Sequence, residues 1–206
     1  MTALEALAAA WRERLASHAP RAVHLPGFEL KASSVLMPLV EEAGEPHFLF
    51  TRRPLHLRSH PGQISFPGGG QDAADETPLH TALREAEEEL GVPASAVEVL
   101  GQLDELPTPS GYRVRPFLGV LRPGLVLRPN AEEVAEVLRV PVRVLVDPAR
   151  RRTELHEVPQ LGRQVEVDYL DVGETVIWGA TARILRNLFE LSAGLPAFEA
   201  LRPEAW

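Results

Sequence analysis

The sequence predicts an α/β sandwich in which a mixed sheet lies between helices. Apolar runs of strand length recur at Ser33–Glu41, His47–Arg53, Val97–Leu106, Tyr112–Leu121 and Val134–Val140. Over Thr77–Gly91 and again over Thr175–Leu191, apolar residues instead return every three or four positions. Strands interrupted by single helices are the pattern of a sheet covered by helices. Strand order does not follow from it.

The first element is a helix from Thr2 to about Ser17, with Leu4, Leu7, Ala8, Trp11 and Leu15 on one stripe. Such a stripe packs on its own domain or on the partner in a homodimer. Pro20–Pro26 is a connector. The strands Ser33–Glu41 and His47–Arg53 flank the turn EEAGEP, and Gln63–Phe66 is a short extended piece. The run Gly68–Gly70 after Pro67 is expected as a tight turn whose missing Cβ atoms let substrate approach the backbone.

Thr77 suits an N-cap, Pro78 the first helical position, and Gly91 a left-handed stop. Pro93–Ala96 begins a turn, and Val97–Leu106 and Tyr112–Leu121 flank the proline-rich PTPSG. A short helical segment follows at Val142–Val146. Arg150–Arg152 is expected as a solvated loop, before a hairpin of Glu154–Val158 and Gln164–Leu170 around Leu161–Gly162. The last helix is expected over Thr175–Leu191, with Ile177, Ala180, Ile184, Leu188 and Leu191 facing inward. Residues 1–29 then form an N-terminal helix and connector, 30–192 the domain, and 193–206 a C-terminal tail.

Composition narrows the function classes. A net charge of −8 argues against a general nucleic-acid or anionic-membrane binder. The absence of cysteine excludes disulfides, zinc-thiolate sites and thiol nucleophiles, and fits a reducing compartment. No apolar run approaches membrane-spanning length, and Met1–Ala10 lacks the basic start of a signal peptide. The expectation is a soluble cytoplasmic protein. The basic residues are 20 arginines and one lysine, Lys31, so an arginine taken alone says little about phosphate recognition.

The chemistry concentrates on the helix after Thr77. At about 100° per residue, Leu79, Ala82, Leu83, Ala86 and Leu90 share the stripe that faces the core. Glu85, Glu88 and Glu89 fall together on another side, and Glu87 points away from both groups. Like charges at such spacing repel by a few tenths of a kcal/mol per pair. Arg84 is placed to pair with Glu88 one turn on, but one cation does not neutralise three anions. A solvated acidic face is one reading. The other is a site for magnesium or manganese, which favour hard oxygen ligands with open positions for water and phosphate.

The residues around the helix decide between them. Gly70, Glu76, Arg84, Glu85, Ala86, Glu88, Glu89, Gly91 and Val92 follow G-x5-E-x7-R-E-U-x-E-E-x-G-U, with U a bulky aliphatic residue. This resembles the Nudix box, and Ala86 at an aliphatic position is the one departure. The resemblance implies a mixed sheet between helices and a magnesium- or manganese-dependent hydrolase of nucleoside diphosphates linked to another group. It further implies Glu85 and Glu89 as principal metal ligands, with Glu88 as a further or water-mediated one. Arg84 and Glu76 would support the loop and carboxylates.

Leu49–Gly69 adds a second pattern. Leu49, Thr51, Arg53, Arg58, Gly62, Phe66, Pro67, Gly68 and Gly69 resemble the signature of the coenzyme A pyrophosphatases within that family, with Phe50 and Pro54 as departures. The resemblance implies cleavage of coenzyme A to 3′,5′-ADP and 4′-phosphopantetheine. Such a substrate carries a pyrophosphate and a 3′-phosphate, and guanidinium groups match phosphate geometry. Arg53 and Arg58 are therefore the substrate-binding candidates, with Gly69 and Gly70 on the glycine run.

Glu132, Glu133 and Glu136 are candidates for a carboxylate outside the box, with Glu133 first for its strand-end position. Either that residue or Glu88 would take the proton of the attacking water. His56 and His60 read as polar loop residues. Serine-based acyl transfer is disfavoured, because no G-x-S-x-G is present. The rivals are a pyrophosphatase of ADP-ribose, NADH or a damaged nucleotide, and a sensor that binds nucleotides without cleaving them. The intact REAEEE segment speaks against the sensor.

Overall fold

The central strands are apolar on both faces, and that decides the architecture. The computed structural model describes residues 1–57, 60–158 and 162–203. Its elements in chain order begin with α1 (Ala3–Ala16), β1 (Lys31–Glu42), β2 (Glu45–Arg52), β3 (Ile64–Ser65), β4 (Gly68–Gly70) and α2 (Pro78–Leu90). Then come β5 (Val97–Gln102), β6 (Leu106–Pro107), β7 (Tyr112–Leu121), β8 (Glu136–Pro141) and α3 (Val142–Leu145). The last are β9 (Arg151–Val158), β10 (Arg163–Val172), β11 (Thr175–Trp178), α4 (Ala180–Ser192) and α5 (Pro196–Glu199).

The main sheet runs β3-β2-β1-β7-β5, with β4 also on β1, β6 on β7 and β8 on β2. β1 and β7 are parallel, and the other pairings are antiparallel, so the sheet is mixed. Successive side chains of a strand point to opposite faces. Met37, Phe48, Phe50 and Leu118 accordingly enter one core with α1, α3 and α4, while Leu36, Leu49 and Phe117 enter a second core with α2. The result is the expected α/β sandwich. A separate antiparallel sheet, β11-β10-β9, packs against α4.

The stripe of α1 packs on its own domain. Trp11 is buried, lies near Phe48 and Phe198, and donates from Nε1 to Ser192 Oγ at 2.7 Å. In the stretch read as a tail, α5 buries Phe198 against Phe189.

Four local expectations are corrected. Thr175–Trp178 is a strand paired with Val172–Tyr169, not the start of a helix: its β-branched and aromatic residues suit a sheet, and Gly179 at φ 65° breaks the chain before α4. The strand over Val97–Leu106 ends at Gln102, because Asp104 is drawn to His18, Arg21 and Asn187. Arg151 and Arg152 open strand β9 and are not in a loop. Gly68–Gly70 is a strand paired with Val35–Ser33, not a tight turn.

Candidate active site

The acidic helix begins and ends as its sequence dictates. Thr77 caps α2 by accepting from His80 N–H at 3.1 Å, Pro78 opens it, and Gly91 closes it at φ 68°. Thr81, Ala82, Ala86 and Leu90 are buried, which fixes the rotation of the helix. Glu87 and Glu88 then face solvent, Glu89 points inward and Glu85 lies between these extremes.

The glycine strand receives the two inward carboxylates. A Cβ on Gly69 would lie 2.5–2.7 Å from the Glu85 carboxylate atoms, so glycine there makes room for that side chain. Gly68 N–H donates to Glu89 Oε1 at 3.2 Å, and Thr51 Oγ1 donates to Glu89 Oε2 at 3.2 Å. Burial pushes the Glu89 pKa up to about 7, and the negative charges of Glu85 and Glu133 push the same way against those two donors. Burial also raises the Glu85 pKa, against Arg84 and with Glu88 and Glu133.

Arg84 ties the helix to the loop before it. Its guanidinium donates to Asp75 from Nε and Nη2, each at 3.1 Å, and to Gly70 O at 3.0 Å. It also reaches Glu85 at 2.9 Å and, as the spacing predicts, Glu88 at 2.9 Å. Asp75 accepts further from Asp72 N–H at 2.9 Å and Thr81 Oγ1 at 3.0 Å. Hydrogen bonds from Arg84 above all hold the Asp75 carboxyl far below the usual carboxylate range. The sequence offered Glu76 for this support, yet Glu76 is exposed and its neighbour Asp75 is the buried anchor.

Outside the helix, the charge of Glu133 acts on both Glu85 and Glu89, and its Oε1 accepts from Asn130 Nδ2 at 3.1 Å. Its loop is fastened to the end of α2, where Arg128 N–H donates to Leu90 O and Asn130 N–H to Glu89 O. Glu136 is instead paired with Arg52 at 2.7 Å. The backbone of Arg53 closes the signature loop, accepting from Gly62 N–H and donating to Gln63 O. Arg58 lies outside the described residues. His56 and His60 are exposed, as expected of polar loop residues.

These residues fit a divalent cation in donor chemistry. The inward carboxylates of Glu85 and Glu89 are hard oxygen donors, and their mutual repulsion is what a bound cation relieves. Among the described residues, no three acidic or imidazole groups already form a metal shell, and Glu85 and Glu88 are held by Arg84.

A family model described as the NUDIX domain matches residues 30–164. A Photorhabdus laumondii protein named "Uncharacterized Nudix hydrolase NudL" is 42% identical over 158 residues, covering 76% of this chain and 82% of the relative. A Yersinia enterocolitica protein of the same name is 41% identical over 167 residues, covering 76% and 78%. Among solved structures, a MutT/nudix family protein from Enterococcus faecalis superposes with a TM-score of 0.53 at 19% identity, covering 87% of this chain and 70% of that one. At that identity the likeness concerns the fold.

Proposed function

From a chain that belongs to the Nudix family, we propose metal-dependent hydrolysis of the pyrophosphate bond of coenzyme A, giving 3′,5′-ADP and 4′-phosphopantetheine. One observation carries the reading. Thr51, Gly68 and Gly69 of the coenzyme A signature are the residues that bond Glu89 and make room for Glu85. The stretch that distinguishes the substrate and the helix that carries the chemistry are thus one unit.

In this reading Glu85 and Glu89 hold magnesium or manganese, with Glu88 as an outer ligand. The bound ion would neutralise pyrophosphate oxygens and lower the pKa of its water. Thr51 and Gly68 orient Glu89, while Arg84, anchored on Asp75, positions Glu85 and Glu88. Glu133 takes the proton of the attacking water, since Glu88 is engaged by the Arg84 cation while Glu133 is exposed and its charge acts on both inward carboxylates. Arg53 and Arg58 bind the substrate phosphates, with Gly69 and Gly70 as further substrate-binding residues. No helix among the described residues is long and apolar enough to cross a membrane, and we place the reaction in the cytoplasm, where the cysteine-free composition is at home.

The test is product identification after incubation with coenzyme A and magnesium. Release of 3′,5′-ADP and 4′-phosphopantetheine is expected. Faster cleavage of ADP-ribose or NADH would move the substrate within the family, and tight nucleotide binding without turnover would make the chain a sensor.

A further inference from the structure

The layer formed by β9, β10, α4 and α5 carries a cavity of about 480 Å³ that contains none of the residues of the acidic site. One part of its wall is apolar, with Leu170, Leu185, Phe189 and Phe198 all buried, and the acids Asp168, Glu190 and Glu199 line it too. Four arginines also line it, and three of them are neutralised. Arg152 pairs with Glu154 and Asp171, Arg186 with Asp168 and Glu190, and Arg202 with Glu199.

Arg151 differs. Its Nη2 donates to the backbone oxygen of Leu145 at 3.1 Å, and its guanidinium lies 4.5 Å from the centre of the Phe189 ring. Among the described residues it makes no ion pair. The nearby acids are committed elsewhere, Asp147 to Arg150 and Asp168 to Arg183 and Arg186. Desolvation first, and then the positive charges of Arg202 and Arg186, lower the Arg151 pKa from the usual arginine value, against the negative charges of Asp147 and Asp168. An arginine stays charged in proteins, and the exposed Arg151 brings to the cavity a positive charge that no carboxylate among the described residues pairs with.

We propose that this cavity is a second binding site, for a small amphipathic anion whose carboxylate or phosphate head meets the Arg151 guanidinium and whose apolar chain lies against Leu170, Leu185, Phe189 and Phe198. The planar guanidinium matches either head. The volume falls in the usual range of small-molecule sites, and the charged lining residues other than Arg151 are taken up in ion pairs.

The test is calorimetric titration of the full chain, freed of metal by chelator so that no anion is held through a cation at the acidic site. The probes are decanoate, decyl phosphate and decanol. At least one anion should bind ten times or more as tightly as decanol, and the better anion identifies the head group. Arg151→Met should erase the preference for the anion, and Ala193→Phe, at an exposed position in the lining, should weaken all binding to the cavity. Hydrolysis at the acidic site should persist in both variants. Equal affinity for decanol, or a preference that survives Arg151→Met, overturns the proposal. Should Arg151→Met fail to fold, anion binding unaffected by Ala193→Phe overturns it equally.

Discussion

Replacing Gly69 by alanine separates catalysis from stability. The new Cβ would sit 2.5 Å from Glu85 Oε1, 2.6 Å from Cδ and 2.7 Å from Oε2. Ordinary contact lies near 3.5 Å, so the carboxylate has to retreat by roughly 1 Å. A misplacement of about 1 Å at a reacting centre costs on the order of a hundredfold in rate. The group that moves is the end of a flexible side chain, so the fold is not strained. Alanine also restricts the unfolded chain, which stabilises by about 0.4–1 kcal/mol where the backbone tolerates it. Gly69→Ala should therefore lose about two decades of kcat with an unchanged or slightly raised melting temperature. Its neighbours are the controls. A Cβ on Gly68 would lie 2.4 Å from Ser34 O and 2.7 Å from Val35 Cα, both rigid backbone atoms, so Gly68→Ala should destabilise the β1–β4 pairing. A Cβ on Gly70 meets nothing within 4 Å, so Gly70→Ala should keep the melting temperature. The assay is coenzyme A hydrolysis beside thermal unfolding. Near-normal turnover by Gly69→Ala, or a loss of stability matching Gly68→Ala, would refute this account of the glycine strand.

Other perturbations probe the carboxylates and arginines. Glu85→Gln should keep the fold and lose a few hundredfold in turnover, matching about 3–4 kcal/mol of lost charge stabilisation, while exposed Glu87→Gln should leave activity unchanged. Glu89 has its pKa raised from 4.5 to about 7, so between those values the folded metal-free protein binds more protons than the unfolded chain and loses stability as pH rises. Glu89→Gln should thus raise the metal-free melting temperature at pH 8 and not at pH 4, a contribution of about 3 kcal/mol at full ionisation. Asp75 behaves oppositely: its depressed pKa gives stability that is present above the ordinary carboxylate pKa and lost in acid. Asp75→Asn should cost about 3–5 kcal/mol in neutral urea titrations, with the difference shrinking as the wild-type carboxylate is protonated. If Arg53 meets the 3′-phosphate, Arg53→Ala should remove a ten- to hundredfold preference for coenzyme A over dephospho-coenzyme A, from a contact of about 1.5–3 kcal/mol; equal slowing of both substrates would put it on the pyrophosphate.

The fold was legible where local chemistry and burial agree. Thr77, Pro78 and Gly91 bound α2 because capping needs only the residues at the ends. The strands β1, β2 and β7 follow from runs too apolar to stay in water, whereas β9 is exposed along seven of its eight residues and pairs with β10 without such a run. The four residues of β11 were absorbed into a helix because Ile177 and Ala180 fit helical spacing as well as a strand end. The positive φ of Gly179 separates them, and a glycine alone does not announce its φ. The parallel pairing of β1 with β7 joins residues some 80 positions apart, a contact that no local pattern encodes.

The candidate site divides along the same line. Helical spacing was enough to pair Arg84 with Glu88, since a helix fixes its own geometry, but it also grouped Glu88 with Glu85 and Glu89, whereas Glu88 faces solvent and Glu89 points inward. It was not enough to choose Asp75 over Glu76. Both sit in the same acidic loop, and only the path of that loop turns one of them onto Arg84, Thr81 and the Asp72 N–H. The glycines were visible as glycines, but their reason was not. Gly69 answers to a carboxylate on a helix that begins nine residues later, and Gly68 to a strand far upstream as well as to Glu89. A motif of this kind is therefore best explained by what each small residue leaves room for. Here that is mainly the protein's own acidic helix, which makes the spacing between strand and helix part of the catalytic apparatus we propose.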